Sequence, residues 1–323
     1  MKYILILILF SSSLGFAQQK KTILLTNAYL HVGNGETIET AAVGIKNGEI
    51  TLVKNSLTYS YSVTDWDTII DLKGQHMYPG LVAPNSTLGL TEIDAVRATR
   101  DYDEVGTLNP HIRALIAYNV ESDVIATVRS NGVLITQITP RGGIVTGSSS
   151  VMHLDGWNWE DAAISVDDGI HLNWPSSFPG RGKAVDKAEE TKRKGEYEKK
   201  KREIYSFFTT ALAYAEKNNR EVPELRLEAM KDCFKGKKRV YIHANELQQL
   251  LDVLDFTRHF ELKFPVIIGG YDSYLILQQL HDSKIPVMLP RVHSLPENED
   301  DPIDLPFRLP GILREADIKF CLQ

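Results

Sequence analysis

Two residue patterns that often mark a functional site are missing from this chain. Only two cysteines, Cys233 and Cys321, occur among its 323 residues. That number excludes a disulfide-rich scaffold and a zinc site built from cysteines. One disulfide and two separate buried thiols both remain open, and the second agrees better with how often free cysteine is buried. None of the nine histidines stands in a His-x-His pair, which excludes a strand presenting two histidines on one face.

Long apolar runs are also lacking. The N-terminal run Tyr3–Phe10 is shorter than the roughly 20 residues that a membrane-spanning helix needs. Lys2 before it and Gly15-Phe16-Ala17 after it are typical of a secretion signal. We therefore expect residues 1–17 to be a signal peptide cleaved after Ala17, and the mature protein to be periplasmic or secreted. No later segment is apolar enough to cross a membrane, so the chain is not expected to span one.

Charge of one sign is not concentrated anywhere in the chain. The formal net charge is −6, a mild acidic excess that gives no reason to expect nucleic acid as a partner. The most basic run, Lys192–Arg202, contains Glu196 and Glu198 and is typical of a solvated helix face. The sequence also lacks a nucleotide-binding fingerprint and the G-x-S-x-G pattern of serine hydrolases.

The residues after the signal peptide favour β-structure. Lys21–Val32 is rich in strand-forming residues, and Asn47-Gly48 stands between two apolar alternations. An Asn-Gly pair in that setting predicts a two-residue hairpin turn. We assign residues 18–77 to a small N-terminal β-layer, because so few short strands do not make a domain with its own core.

Short apolar runs alternate with helical patterns from Tyr78 onward. Such runs suit strands buried on both faces of a parallel sheet, and several strand–helix units in succession favour a (β/α)8 TIM-like barrel. We assign residues 78–323 to this α/β barrel, with a charged helical insertion at about residues 175–237. The runs read as strands are Asn131–Pro140, Lys238–Asn245, Phe264–Tyr271, Ile285–Val292 and Asp317–Gln323, and the clearest helices are Glu196–Asn218, Glu246–Phe260 and Ser273–Ser283.

Three segments carry a resemblance to a known family. They are "YPGLVAPN" (Tyr78–Asn85), the Gly/Ser-rich "TPRGGIVTGSSSVMHLDGWNWEDAAI" (Thr139–Ile164) and "IHANE" (Ile242–Glu246). Together they resemble the amidohydrolase superfamily, and within it the imidazolonepropionase-related members with secreted relatives. The resemblance implies a barrel with a small β-sandwich layer and the hydrolysis of C–N bonds, in cyclic amides or similar substrates. In such enzymes a divalent metal, zinc or iron, lowers the pKa of a bound water and polarises the scissile carbonyl.

The metal-ligand positions implied by the resemblance are mostly changed. The usual His-x-His pair after the first strand falls on Asn85 and Thr87, which are poor ligands for a transition metal. His243 retains the strand-five histidine, whereas Gly269 stands at the strand-six position. The strand-eight aspartate would fall beyond Gln323. A metal is therefore expected only if some of the site is retained, and no other cofactor is indicated.

The same resemblance predicts a barrel that is incomplete at its C-terminus. An open barrel edge leaves backbone groups unpaired and favours association. We therefore expect the chain to be a fragment of a longer product that is poorly stable alone or forms oligomers through this edge.

Two residues of the "IHANE" segment are candidates, His243 for metal binding and Glu246 for substrate binding, and no catalytic residue is assigned. His243 is either a metal ligand or a histidine at the barrel mouth whose ring is satisfied by hydrogen bonds. Glu246 resembles the acidic residue that engages substrate in imidazolonepropionases. It is equally well explained as a glutamate in the first turn of a helix, where the helix dipole favours negative charge.

Four other residues are candidates for binding a small-molecule ligand. Arg291 and His293 lie at the end of a predicted strand and either bind an anion or belong to a polar loop that closes the barrel. Asp94 and Arg97 follow the first barrel strand and either line the site or take part in a salt-bridged surface loop. The segment "TPRGGIVTGSSS" offers backbone N–H groups to an anion, but a tight structural loop is the better interpretation.

Two functions follow from these residues. One is a secreted, metal-dependent hydrolase of C–N bonds with an unusual metal site. The other is a catalytically inactive periplasmic protein that uses an amidohydrolase scaffold to bind a small molecule or another protein. The three changed ligand positions favour the second.

Overall fold

A computed structural model describes residues 21–176, 186–217, 222–297 and 300–323. The chain forms two compact units, divided between Gly80 and Leu81. The predicted signal peptide lies outside the described residues, as do residues 177–185 and 218–221 of the predicted insertion. No helix among the described residues combines the length and the apolar character needed to cross a bilayer.

The N-terminal unit is a five-stranded sheet centred on its first strand. The strands are β1 (Thr22–His31), β2 (Thr37–Lys46), β3 (Glu49–Asn55), β4 (Thr68–Asp71) and β5 (His76–Met77). The first strand pairs antiparallel with β2 and parallel with β4 and β5, and β3 extends the sheet beside β2. Alternate residues of β1 are buried on one face, as period-2 patterning requires, whereas β2 has four consecutive buried residues, 41–44. This small core consists of Ala28, Leu30, Ala41 and Val43.

The predicted hairpin at Asn47-Gly48 is confirmed. These residues have φ angles of 57° and 84°, the positive values that a tight hairpin turn needs and that Asn and Gly accept. Lys46 and Glu49 pair directly on either side of the turn.

The second unit contains an eight-stranded sheet whose strands follow one another in chain order. They are β6 (Leu81–Ser86), β7 (Val133–Ile138), β8 (Val145–His153), β9 (Ala163–Asn173), β10 (Arg239–Ala244), β11 (Pro265–Gly269), β12 (Val287–Leu289) and β13 (Phe320–Leu322). The two end strands of the sheet approach each other. The Asn85 side-chain amide in β6 donates a hydrogen bond to Gln323, which lies directly after β13. The predicted TIM-like barrel with an N-terminal sheet is therefore confirmed, and the barrel is nearly closed.

One strand corrects the sequence interpretation. The Gly/Ser-rich segment was expected to be a tight loop, but its second half is β8, which runs antiparallel to β7 and β9. The strand is buried because its side chains are small: Ser148, Ser149 and Ser150 are at most 2% exposed. Gly147 permits a close approach, since a Cβ there would lie 2.6 Å from the Ile112 carbonyl oxygen. Small residues that look like a loop in sequence can thus occupy a crowded strand.

Seven α-helices accompany the barrel in the described residues. They are α1 (Asp123–Ser130), α2 (Trp159–Ala162), α3 (Lys187–Glu216), α4 (Leu225–Phe234), α5 (Leu247–His259), α6 (Leu277–Ser283) and α7 (Leu305–Glu315). Short 3-10 helices occur at Val63–Asp65, Arg97–Thr99, Ala114–Ala117 and Tyr271–Leu275.

The charged helix α3 begins earlier than the predicted Glu196. It begins after Asp186, whose side chain accepts the backbone N–H of Glu189 at 2.8 Å and so provides an N-cap. One face of the helix enters the main core, where the Phe208 ring packs against Phe256 at a centroid distance of 4.8 Å. The buried positions Tyr197, Ile204, Phe208 and Ala211 follow helical spacing within a mostly charged sequence. This segment therefore contributes to the core of the barrel unit.

Both cysteines are free thiols. Cys233 is buried in the main core, where burial raises the pKa of its thiol to about 12. Cys321 is exposed, so the expectation of two buried thiols is correct for Cys233 and wrong for Cys321. The reason is that Cys321 lies in β13, a strand at the end of the sheet.

Candidate functional site at the barrel mouth

Asn85 lies at the carboxyl end of β6 and is held by hydrogen bonds on all its polar groups. Its backbone N–H donates to the side-chain oxygen of Gln137 at 3.1 Å, and its side-chain amide donates to Gln323. Arg141 donates from Nη1 to Asn85 Oδ1 at 2.7 Å and from Nη2 to the Asn85 carbonyl oxygen at 2.6 Å. The backbone is left-handed, with φ at 48°, a conformation that asparagine tolerates. The Arg141 guanidinium therefore contacts both oxygen atoms of Asn85, the residue at the first expected ligand position.

Arg141 itself follows β7 and is partly buried. Its backbone N–H donates to the Tyr102 carbonyl at 2.6 Å, which fixes the start of the side chain. In the described ranges of the chain, no carboxylate forms an ion pair with the guanidinium. Burial lowers the pKa of Arg141 from its usual value, yet a guanidinium stays charged at neutral pH. The barrel mouth thus contains a partly buried cation with neutral acceptors.

Two histidines meet beside this cation. His171 in β9 pairs in register with Tyr241 in the parallel strand β10, so His243, two residues further along, projects on the same side. His171 Nδ1 lies 3.0 Å from His243 Nε2, a hydrogen bond in which one ring donates and the other accepts. The His171 ring also stacks on Tyr241 at 4.6 Å, and its Nε2 is buried without a hydrogen-bond partner.

Both imidazoles are neutral at neutral pH. Burial lowers the pKa of His171 well below its usual value, and the neighbouring His243 and the Arg141 charge lower it further. Burial, followed by the Arg141 charge, lowers the pKa of His243 to about 3. The single formal charge among these three side chains is therefore that of Arg141.

A buried carboxylate lies on the same strand as His171. Asp168, which is 9% exposed, accepts hydrogen bonds from the Ser149 hydroxyl at 2.7 Å, the Tyr241 hydroxyl at 2.8 Å and the Gln137 amide at 3.1 Å. Three donors compensate for removing its charge from water. Since Tyr241 also stacks on His171, this network holds the histidine ring in place.

The residues present do not fit the metal site of the family that the sequence resembles. Among the described residues, no three His, Cys, Asp or Glu side chains come close enough together to hold a metal ion. Thr87 lies just after β6 and is half-buried. Gly269 has φ at 100°, and a Cβ there would clash with Asn245 Oδ1, so this backbone cannot carry a histidine without strain. The two imidazoles already bond to each other, and Arg141 places a positive charge where a metal cation would be repelled.

Glu246 occupies the position immediately before α5. Its backbone N–H donates to the Gln249 side chain at 3.0 Å, one half of a capping box. Its carboxylate accepts a hydrogen bond from the Ser176 hydroxyl. Burial raises the pKa of Glu246, and the nearby Asp272 raises it further. The residue is thus placed both to cap the helix and to face the carboxyl ends of the strands.

The other predicted binding residues lie at separate places on the barrel unit. Arg291 is exposed and lines a small cavity of about 160 Å³ together with Tyr271. His293 is exposed and its ring meets Phe307 edge-on at 5.4 Å. Asp94 and Arg97 are exposed, in a turn and a 3-10 helix. The ion pairs found in the described residues include none from residues 91–106, so the alternative of a salt-bridged loop is not observed.

Sequence reasoning missed two members of the site. His171 is not among the residues predicted from the sequence, and Arg141 lies within the segment that was interpreted as a tight loop. Both come together with His243 through the order and register of strands far apart in sequence. The one local signal for His171 was an apolar run around it, "GIHLNW", which is typical of a buried strand.

Acid is expected to destabilise the protein through His243. Its pKa is about 3 in the folded chain and about 6.5 when unfolded, so the unfolded chain binds more protons between these values. The free energy of unfolding should therefore fall as the pH drops below about 6.5, by up to about 1.4 kcal/mol per pH unit. Urea unfolding of wild type and His243→Gln from about pH 7 to about pH 4.5 measures this slope, which the variant should reduce.

The control for this measurement is the exposed His281→Gln. The raised pKa values of Glu246 and Asp272 act in the opposite direction, but they are present in all three proteins. The His281 variant should retain the wild-type slope. Equal slopes for wild type and His243→Gln would show that His243 is not held neutral in the folded protein.

Comparison with known proteins places the fold. No protein-family model and no curated protein sequence matches this chain. Among solved structures, an amidohydrolase from Thermotoga maritima MSB8 is similar, with a TM-score of 0.77 and 20% identity, covering 93% of this chain and 78% of that chain. This similarity establishes the fold.

Two further structures are more distant. A molinate hydrolase has a TM-score of 0.48 and 12% identity, covering 94% of this chain and 72% of its own. The ochratoxinase of A. niger has a TM-score of 0.43 and 10% identity, covering 94% of this chain and 76% of its own.

Proposed function

We propose that this chain belongs to the amidohydrolase superfamily, in its imidazolonepropionase-related branch, and is a non-catalytic protein that binds a small molecule at the barrel mouth. One observation carries the proposal: Arg141 holds both oxygen atoms of Asn85. That contact places a fixed positive charge at the position where the family's first histidine pair would hold a metal. Because like charges repel strongly where water is partly excluded, the same mouth is poorly suited to a divalent cation.

The proposal includes export from the cytoplasm. The basic residue Lys2, the apolar run Tyr3–Phe10 and the small residue Ala17 support a cleaved signal peptide. Holding or delivering a ligand can be the whole function of a periplasmic or secreted binding protein that catalyses no reaction.

A second candidate is a metal-dependent hydrolase of C–N bonds. The neighbouring His171 and His243 favour it, because imidazole is a common ligand of zinc and iron. In that case ligands besides these two histidines would have to complete the coordination sphere.

Metal analysis separates the two functions. The full chain, purified without chelator and then dialysed against zinc or iron, is expected to retain far less than one metal ion per chain. His243→Ala and the exposed control His281→Ala should show the same low content. Stoichiometric metal that is lost in His243→Ala and kept in His281→Ala would overturn the binding-protein proposal and favour the metal-dependent hydrolase.

A further inference from the structure

Arg141 is a charged group that has no counter-ion among the residues that the structure describes. A guanidinium has five N–H donors, and the hydrogen bonds to Asn85 use two of them. The acceptors are amide and carbonyl oxygens, which carry no formal charge. Burying a cation is costly unless an anion compensates it. The described part of the chain supplies no such anion.

The surrounding groups do not neutralise this charge. His171 and His243 are neutral and lie close enough for Arg141 to lower their pKa values. Asp168 lies on the same strand as His171, but its oxygens are taken by Ser149, Gln137 and Tyr241. The set of two imidazoles and one guanidinium therefore carries one positive charge.

A second polar group at this place also lacks a partner within the described ranges of the chain. His171 is fully buried, and its Nε2 has no hydrogen-bond partner. Buried polar atoms are nearly always hydrogen-bonded in folded proteins. Arg141, a cation without an ion-pair partner among the described residues, and His171, with its buried Nε2, therefore lie towards the carboxyl ends of β7 and β9, the end of such barrels at which ligands bind.

We propose that the barrel mouth binds the carboxylate group of a small monoanionic ligand, with Arg141 as the group that recognises it. This inference rests on the proposed binding function and names its ligand class. A planar guanidinium suits the two oxygens of a carboxylate, and one positive charge matches one negative charge better than the two of a phosphate. The ligand supplies the counter-ion that the described residues do not provide.

Matched neutral and charged probes test the charge requirement. Benzoate and benzamide have nearly the same shape and differ in formal charge. In calorimetric titrations of the full chain, benzoate should bind saturably at millimolar concentration, and at least about tenfold more tightly than benzamide, a difference of about 1.4 kcal/mol. Equal affinities, no binding of benzoate, or tighter binding of inorganic phosphate would each overturn the carboxylate assignment.

Variants test whether Arg141 is the group that binds benzoate. Arg141→Gln should weaken benzoate binding at least about tenfold. Arg141→Lys keeps the charge but not the planar fork, so its benzoate affinity should lie between those of wild type and Arg141→Gln. The control Arg113→Gln removes an exposed arginine paired with Asp167 and should bind as wild type does. Unchanged benzoate affinity in a folded Arg141→Gln variant would overturn the inference.

A measurement on the wild-type chain covers the case in which Arg141→Gln does not fold. The side-chain Nε–H resonance of Arg141, assigned from arginine-labelled protein by conservative Arg141→Lys replacement, should shift with benzoate and not with benzamide. A resonance that benzoate leaves unmoved would overturn the inference. Stoichiometric metal in the analysis above would overturn the binding function itself, whereas a metal-free chain that ignores benzoate overturns only the ligand class.

Discussion

Replacing Gly269 by alanine is expected to lower the free energy of unfolding by about 2 to 4 kcal/mol. The residue ends β11 with φ at 100°, a region in which a side chain costs about 1 to 3 kcal/mol. A Cβ there would also clash with Asn245 Oδ1 and lie 3.1 Å from the Ala244 carbonyl oxygen, and overpacking adds a further cost. Urea unfolding of the purified variant measures the loss.

A glycine-to-alanine replacement inside a helix should instead raise the free energy of unfolding. Gly195 lies inside α3, and a Cβ there would meet nothing within 4 Å. Gly195→Ala should therefore stabilise by about 0.5 to 1 kcal/mol through helix propensity. Gly269→Ala as stable as wild type would show that the backbone can relax, and the strand-six ligand position would then be open to a histidine.

Asp168→Asn is expected to destabilise by about 2 to 4 kcal/mol. The change keeps the shape, but it replaces a carboxylate that accepts three hydrogen bonds with an amide whose NH2 faces other donors. Each buried donor left without an acceptor costs about 1 to 3 kcal/mol. Because Tyr241 stacks on His171, the variant should also weaken benzoate binding. Chemical denaturation and calorimetry measure the two effects.

The neighbouring Asp167 is the matched control. It points to the other side of β9 and forms an exposed ion pair with Arg113 at 2.8 Å. Such a pair is worth about 0 to 1 kcal/mol, and asparagine accepts the left-handed φ of 51° at this position. A similar loss in Asp167→Asn and Asp168→Asn would show that the buried network is not what stabilises this strand.

Much of the barrel could be predicted from local pattern. The runs around β7, β10, β11 and β12 are apolar over the length of a strand and are bounded by polar or turn residues, so each predicts its own conformation. The Asn47-Gly48 hairpin could likewise be predicted from adjacent residues alone. The strand β8 was missed because Ser148, Ser149 and Ser150 have no apolar side chains, and their burial depends on what packs against them.

The sequence by itself determined the fold class and the absence of histidine at three positions where the resemblance places metal ligands. Both are properties of residue identity: apolar periodicity is written along the chain, and Asn85, Thr87 and Gly269 are not histidines wherever the chain places them. The structure decided what stands in the ligands' place. Arg141 meets Asn85 across 56 residues of chain, and His171 meets His243 across 72. Neither contact has a local signal, because each is created by strand order and register in the nearly closed sheet.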